Sequence, residues 1–123
     1  MSIEFDHSRW KRLRENYARW WAGELERPLI NIVIGGRNPG RPEPALPSYG
    51  FTSFYDQSIP ASAIVDRWDY DLSCRKFLGD AFPMIYPVFG PGVVAAFLGA
   101  RLENGNGTVW YHPPQPQEAA DIH

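Results

Sequence analysis

The sequence predicts an α/β chain, α+β in character if it folds alone, and three features carry that prediction. Apolar residues recur at helical spacing from Trp10 to Trp21, a β-branched run "LINIVIGG" fills residues 29–36, and "NGNG" lies between two short apolar stretches near the end. At 123 residues, 44% hydrophobic and 15% aromatic, the chain has material for one core, so a single domain over residues 1–113 with a loose tail at 114–123 is expected.

Asp6 is placed to cap the first helix, and Trp10, Leu13, Tyr17, Trp20 and Trp21 follow at steps of three and four, which predicts one buried stripe ended at Gly23. Glu15 and Arg19 are spaced to pair on its outer side. Leu29 to Gly36 reads as a strand buried on both faces, because its apolar residues run almost without interruption. "RNPGRPEPALPSYG" holds four prolines and is expected as an ordered loop or lid. A short extended piece over 51–60 leads to a second helix starting near Ser58 and Pro60. Its stripe of Ile64, Val65, Trp68, Leu72, Arg75 and Phe77-Leu78 runs to Gly79.

"PMIYPVF", residues 83–89, is expected to be extended, and "PGVVAAFL" to form a helix of two turns that starts at Pro91 and stops at Gly99. "ARLE" and "TVWYHP" are then the arms of a hairpin. The predicted order is helix, strand, loop, helix, strand, helix, hairpin.

Charge and cysteine usage narrow the function classes. A net charge of −2 gives no field for a polyanion, and Arg9, Lys11, Arg12 and Arg14 read as a solvated helix face, so nucleic acid is not an expected partner. One cysteine, Cys74, excludes an internal disulfide and a multi-cysteine zinc site and fits a reducing compartment. The first residues lack an apolar signal core, and no stretch reaches the roughly 20 apolar residues of a membrane span, so a cytoplasmic protein is expected. Asp66, Asp69 and Asp71 do not share one helix face, Asp71 is spaced to pair with Arg75, and Cys74, His7, His112 and His123 lack ligand spacing; no metal and no cofactor are expected.

Gly90-Pro91-Gly92 marks the sharpest local feature. At a helix start the backbone N–H groups of Gly92 and Val93 are free to meet an anion, and the bare Gly90 and Gly92 permit close approach. The same glycines also serve a sharp turn into the helix with no ligand at all.

The blocks "RW…L…NYARWWAGELERPLI", "LGDAFPMIYPVFGPGVVAAFLGARLE" and "TVWYHP" resemble the N-terminal part of the uroporphyrinogen decarboxylase-like superfamily, which includes the corrinoid-dependent methyltransferases. The resemblance runs from Trp10 to Pro113 and rests mainly on GDAFP and FGPG. It implies the N-terminal segment of a (β/α)8 barrel, a fold of about 250 residues that this length cannot close.

It also implies roles. Arg37 and Arg41 of "RNPGR" match in type the two arginines that hold tetrapyrrole carboxylates in the decarboxylases; a solvated pair on a loop is the plainer reading. Asp80 matches the aspartate placed near the substrate pyrroles, and is equally placed to cap the next turn. Val88 stands where related sequences carry Asn before FGPG. The methyltransferase zinc ligands belong to the later part of the barrel.

Two readings result. One is the N-terminal segment of a decarboxylase-like or methyltransferase-like protein, inactive alone, with a carboxylate-bearing small molecule as candidate ligand. The other is a small non-enzymatic ligand- or protein-binding module that self-associates. In both, Trp10, Trp20, Trp21, Trp68 and Phe97 exceed what the visible elements can cover. The expected partner is therefore another copy or the remainder of a barrel.

Overall fold

A computed structural model describes residues 3–114. The tail assigned to 114–123, with His123, falls outside the described residues from position 115 onward. The chain is mixed helix and small antiparallel sheet, an α+β arrangement, in two compact units: residues 3–48 with 61–85, and residues 49–60 with 86–114.

In the first unit, helix α1 spans His7–Trp21. Asp6 starts it as expected, accepting a hydrogen bond from the Arg9 backbone N–H at 2.7 Å. At the other end Gly23 takes a left-handed φ of 73°, which lets the Glu24 N–H turn back to the Arg19 carbonyl at 2.8 Å. Arg19 also sends its guanidinium to the Glu24 carbonyl. The expected buried stripe is only partly realised: Leu13 is buried, whereas Trp10 and Trp20 are exposed and Trp21 is 79% exposed. Trp10 and Tyr17 lean on Phe82, and Trp20 stacks edge-on against Trp21.

Strand β1 covers Asn31–Ile34, helix α2 Ala61–Ser73 and strand β2 Lys76–Gly79. The sequence stripe carried the second helix to Gly79; the structure stops it at Ser73. There the Ser73 hydroxyl turns back on the carbonyls of Asp69 and Tyr70, and the next four residues leave the helix to pair with β1. Burial of Phe77 beside Leu72 and Ala81 outweighs the helical spacing of Phe77 and Leu78.

β1 and β2 run antiparallel, with Ile32 opposite Leu78 and Val33 opposite Phe77. Directly opposed residues share a face. On the Val33–Phe77 face, Phe77 turns into the core and meets Phe5 edge-on at 6.3 Å between ring centroids, with Ile3, Phe5 and Ile85 completing the packing, while Val33 itself stays 51% exposed. The other face carries Ile32, Ile34 and Leu78, with Ile30 two residues upstream of Ile32, at 47%, 48%, 42% and 50% exposure, and Lys76 opposite Ile34. The strand expected to be buried on both faces is thus exposed at every position from Asn31 to Ile34.

The second unit opens with one 3-10 turn at Thr52–Phe54 inside the segment read as extended. Helix α3 is Val93–Phe97, shorter than the two turns expected, with Pro91 and Gly92 in the turn before it. Gly99, φ 96°, ends it and lets the Ala100 N–H reach the Ala95 carbonyl. The hairpin is formed as read: β3 Arg101–Asn104 pairs with β4 Val109–His112, and the Gly105 N–H meets the Thr108 carbonyl across the loop at 2.8 Å. Tyr55 and Val109 are its buried apolar residues, and Phe97 stands 87% exposed. No helix among the described residues is long and apolar enough to cross a membrane.

Candidate functional site

Asp80 directly follows β2, where Gly79 adopts φ 62°. A Cβ on Gly79 would lie 2.3 Å from the Ile30 carbonyl oxygen, so glycine is what allows the two backbones to meet. That approach lets the Asp80 N–H donate to the Ile30 carbonyl at 2.7 Å and leaves the side chain 2% exposed.

Four donors converge on the buried carboxylate. Arg27 gives two, Nη1 to Oδ2 at 2.6 Å and Nη2 to Oδ1 at 2.9 Å; the Ile30 N–H reaches Oδ2 at 2.9 Å and the Asn16 amide reaches Oδ1 at 3.0 Å. An ionised carboxylate offers about four lone-pair sites, and this one has all of them filled. The Arg27 guanidinium first, then the Ile30 N–H and the Asn16 amide, hold the Asp80 carboxyl well below the usual carboxylate range against the opposing effect of burial. Arg27 is raised in turn by the same pairing. Tyr17 completes the cluster by donating to the Asp80 carbonyl and to Asn31. A hollow of about 360 Å³ is walled by Arg12, Asn16, Arg27, Ile30, Gly79 and Asp80.

Chemically this carboxylate stays ionised at neutral pH and does not donate a proton. Acting as a base or as a partner for a pyrrole N–H would require one of its four donors to leave. What the cluster does in this geometry is tie α1, the segment before β1 and the end of β2 to a single point. Arg27 and Asn16 were not singled out from the sequence. "ERP" before a strand carries no spacing signal, and Asn16 is one polar residue on a helix whose apolar residues set the pattern.

Arg37 and Arg41 both lie against α2, engaged with carboxylates and carbonyls of this chain. Arg37 donates to Glu4 at 3.0 Å and to the Ser73 carbonyl at 2.7 Å, while its backbone N–H meets the Cys74 carbonyl. Arg41 reaches Asp66 at 2.9 Å and Asp69 at 3.1 Å and lies over the Tyr70 ring. Arg67, which the sequence did not flag, is buried and holds Glu43 at 2.6 Å and Asp71 at 2.5 Å. These two carboxylates raise its pKa further. Asp71 therefore pairs with the arginine one turn before it rather than with Arg75, and it also accepts from Ser48. The three arginines fasten the proline-rich loop to α2.

Gly90, Gly92 and Val93 answer the question posed by the glycine-proline-glycine turn. A Cβ on Gly90, where φ is 84°, would lie 2.2 Å from Val109 Cγ2, and one on Gly92 would lie 2.3 Å from the Tyr111 ring. The Tyr111 hydroxyl donates to the Phe89 carbonyl. What comes close to this backbone is β4, and the space beside both glycines is filled by its side chains. Val93 opens a helix of five residues. Val88 accepts the Thr52 N–H at its carbonyl, and His112 faces Glu103 at 3.1 Å on the hairpin.

Among the described residues no group of His, Cys, Asp and Glu has a metal-binding arrangement. Comparison with known proteins found no matching family model, no curated protein of significant similarity and no matching solved structure.

Proposed function

We propose that this chain is the N-terminal segment of a uroporphyrinogen decarboxylase-like or methyltransferase-like protein, without turnover of its own, and that the outer face of the β1–β2 ribbon is covered by the rest of that protein. The observation that carries this reading is the uncovered aliphatic row Ile30, Ile32, Ile34 and Leu78. An antiparallel ribbon that faces water on one side ordinarily alternates apolar with polar residues, and the outer face of this one carries Ile32, Ile34 and Leu78 with a single polar residue, Lys76 opposite Ile34. A composition suited to double burial beside a bare face is what a segment made to sit against more protein would have. The exposed Trp20 and Trp21 of α1 add to the same load. The GDAFP and FGPG blocks supply the family, and the single thiol Cys74 fits a cytoplasmic setting.

The antiparallel pairing favours a second reading, a small self-associating module. Neighbouring staves of a (β/α)8 barrel are parallel, so β1 and β2 cannot both be adjacent staves; in the first reading the ribbon flanks the barrel. Arg37, Arg41 and Asp80 each hold partners within this chain, which places less weight on a carboxylate ligand in either case.

The reading frame beyond His123 tests the choice. A continuation encoding alternating strands and helices supports the barrel segment, and a stop codon there overturns it in favour of the module.

A further inference from the structure

We propose that Asn106 is a site of spontaneous deamidation, and that the hairpin protects its near neighbour Asn104 from the same reaction. The two Asn–Gly bonds of this sequence, 104–105 and 106–107, lie two residues apart in one loop. The reaction needs the backbone nitrogen of the following residue to attack the asparagine side-chain carbon, and glycine obstructs this least because it has no Cβ.

The structure separates the two sites. Asn104 is the last residue of β3, opposite Val109. Its Nδ2 donates to the Ser53 carbonyl at 2.8 Å, and its Oδ1 accepts from the Ser53 hydroxyl at 2.9 Å. The nitrogen that would attack it, Gly105 N, is held by the Thr108 carbonyl at 2.8 Å. Nucleophile and electrophile are both engaged.

Asn106 is exposed in the loop, and among the described residues neither its side chain nor the Gly107 N–H has a hydrogen-bond partner. Gly107 takes a left-handed φ of 75°, and nothing stands within 4 Å of the place a Cβ would occupy. The attacking nitrogen and the amide are free to turn toward each other.

In the reaction the Gly107 nitrogen bonds to Asn106 Cγ, the Cγ–Nδ2 bond breaks, and ammonia departs carrying the Gly107 amide proton. The resulting five-membered imide then takes up one water. Opening at Cγ gives aspartate on the original main chain; opening at the backbone carbonyl carbon gives isoaspartate, with the main chain routed through the side chain. No oxidant or reductant is involved. Each event adds one negative charge to the hairpin tip.

The test is peptide mapping by mass spectrometry of the whole 123-residue protein after prolonged incubation in mildly alkaline buffer, native and in denaturant. In the native protein Asn106 is expected to convert at least about tenfold faster than Asn104, since one or two hydrogen bonds of ordinary strength must break before Asn104 can react. In denaturant the two sites are expected to convert at comparable rates. Equal native rates, faster conversion at Asn104, or an intact Asn106 in native protein whose denatured form reacts would each overturn the proposal.

Discussion

Arg27 closes on Asp80 with two parallel hydrogen bonds, 2.6 and 2.9 Å long, across fifty-three residues of sequence. One end of the pair is half-exposed and the other is buried, and the buried end also receives the Ile30 N–H and the Asn16 amide. Removing the carboxylate leaves several donors unmatched at once, so its loss is expected to destabilise the first unit.

Asp80→Asn is therefore expected to lower unfolding free energy by about 2–4 kcal/mol, because the amide nitrogen faces a donor where an oxygen accepted. Arg27→Lys is expected to cost less than Asp80→Asn, since an ammonium keeps the charge and loses the fork. Denaturant melts of the three proteins check both, with the order wild type, Arg27→Lys, Asp80→Asn.

Acid sensitivity follows from the direction of the Asp80 shift. Its folded-state pKa lies below the unfolded value of about 3.9, so its contribution is fully present above that pH and is lost as pH falls through the lower folded value. Melting temperature is expected to be flat in this respect near neutrality and to drop steeply below about pH 4. In Asp80→Asn that acid limb should be shallower, which thermal melts across pH will show.

Gly92→Ala is expected to cost about 1–3 kcal/mol, because the new methyl group would overlap the Tyr111 ring while the backbone φ of −94° is itself unstrained. In a Tyr111→Ala background the same change should cost markedly less. Equal costs in the two backgrounds would show that β4 is not what requires the glycine.

Arg37→Ala with Arg41→Ala is expected to loosen the proline-rich loop and leave the affinity for a tetracarboxylate unchanged, because both side chains already hold Glu4, Asp66 and Asp69. Calorimetric titration of both proteins, together with limited proteolysis of the loop, measures this. Weaker binding by the double variant would return the arginines to a ligand site.

Much of this was legible in the sequence where one local rule acted alone. Asp6 as a cap, Gly23 and Gly99 as stops, and the "NGNG" hairpin each follow from backbone chemistry within a few residues. Legibility failed where distant partners decided. Phe77 and Leu78 fit a helix by spacing but pair with Val33 and Ile32, more than forty positions earlier in the chain. The glycine-proline-glycine turn resembled an anion site because β4, which fills it, comes later in the chain. The role of Arg27 was invisible for the same reason: an arginine shows its partner only once the chain has folded back.

Sedimentation velocity of the 123-residue chain over a range of concentrations, beside an Ile32→Lys plus Ile34→Glu variant, tests most directly whether the outer face of the ribbon is made to be covered by protein. Concentration-dependent association of the wild type through its bare aliphatic row is expected, beside a monomeric variant with the same circular dichroism. A wild type that stays monomeric throughout, indistinguishable from the variant, would contradict it.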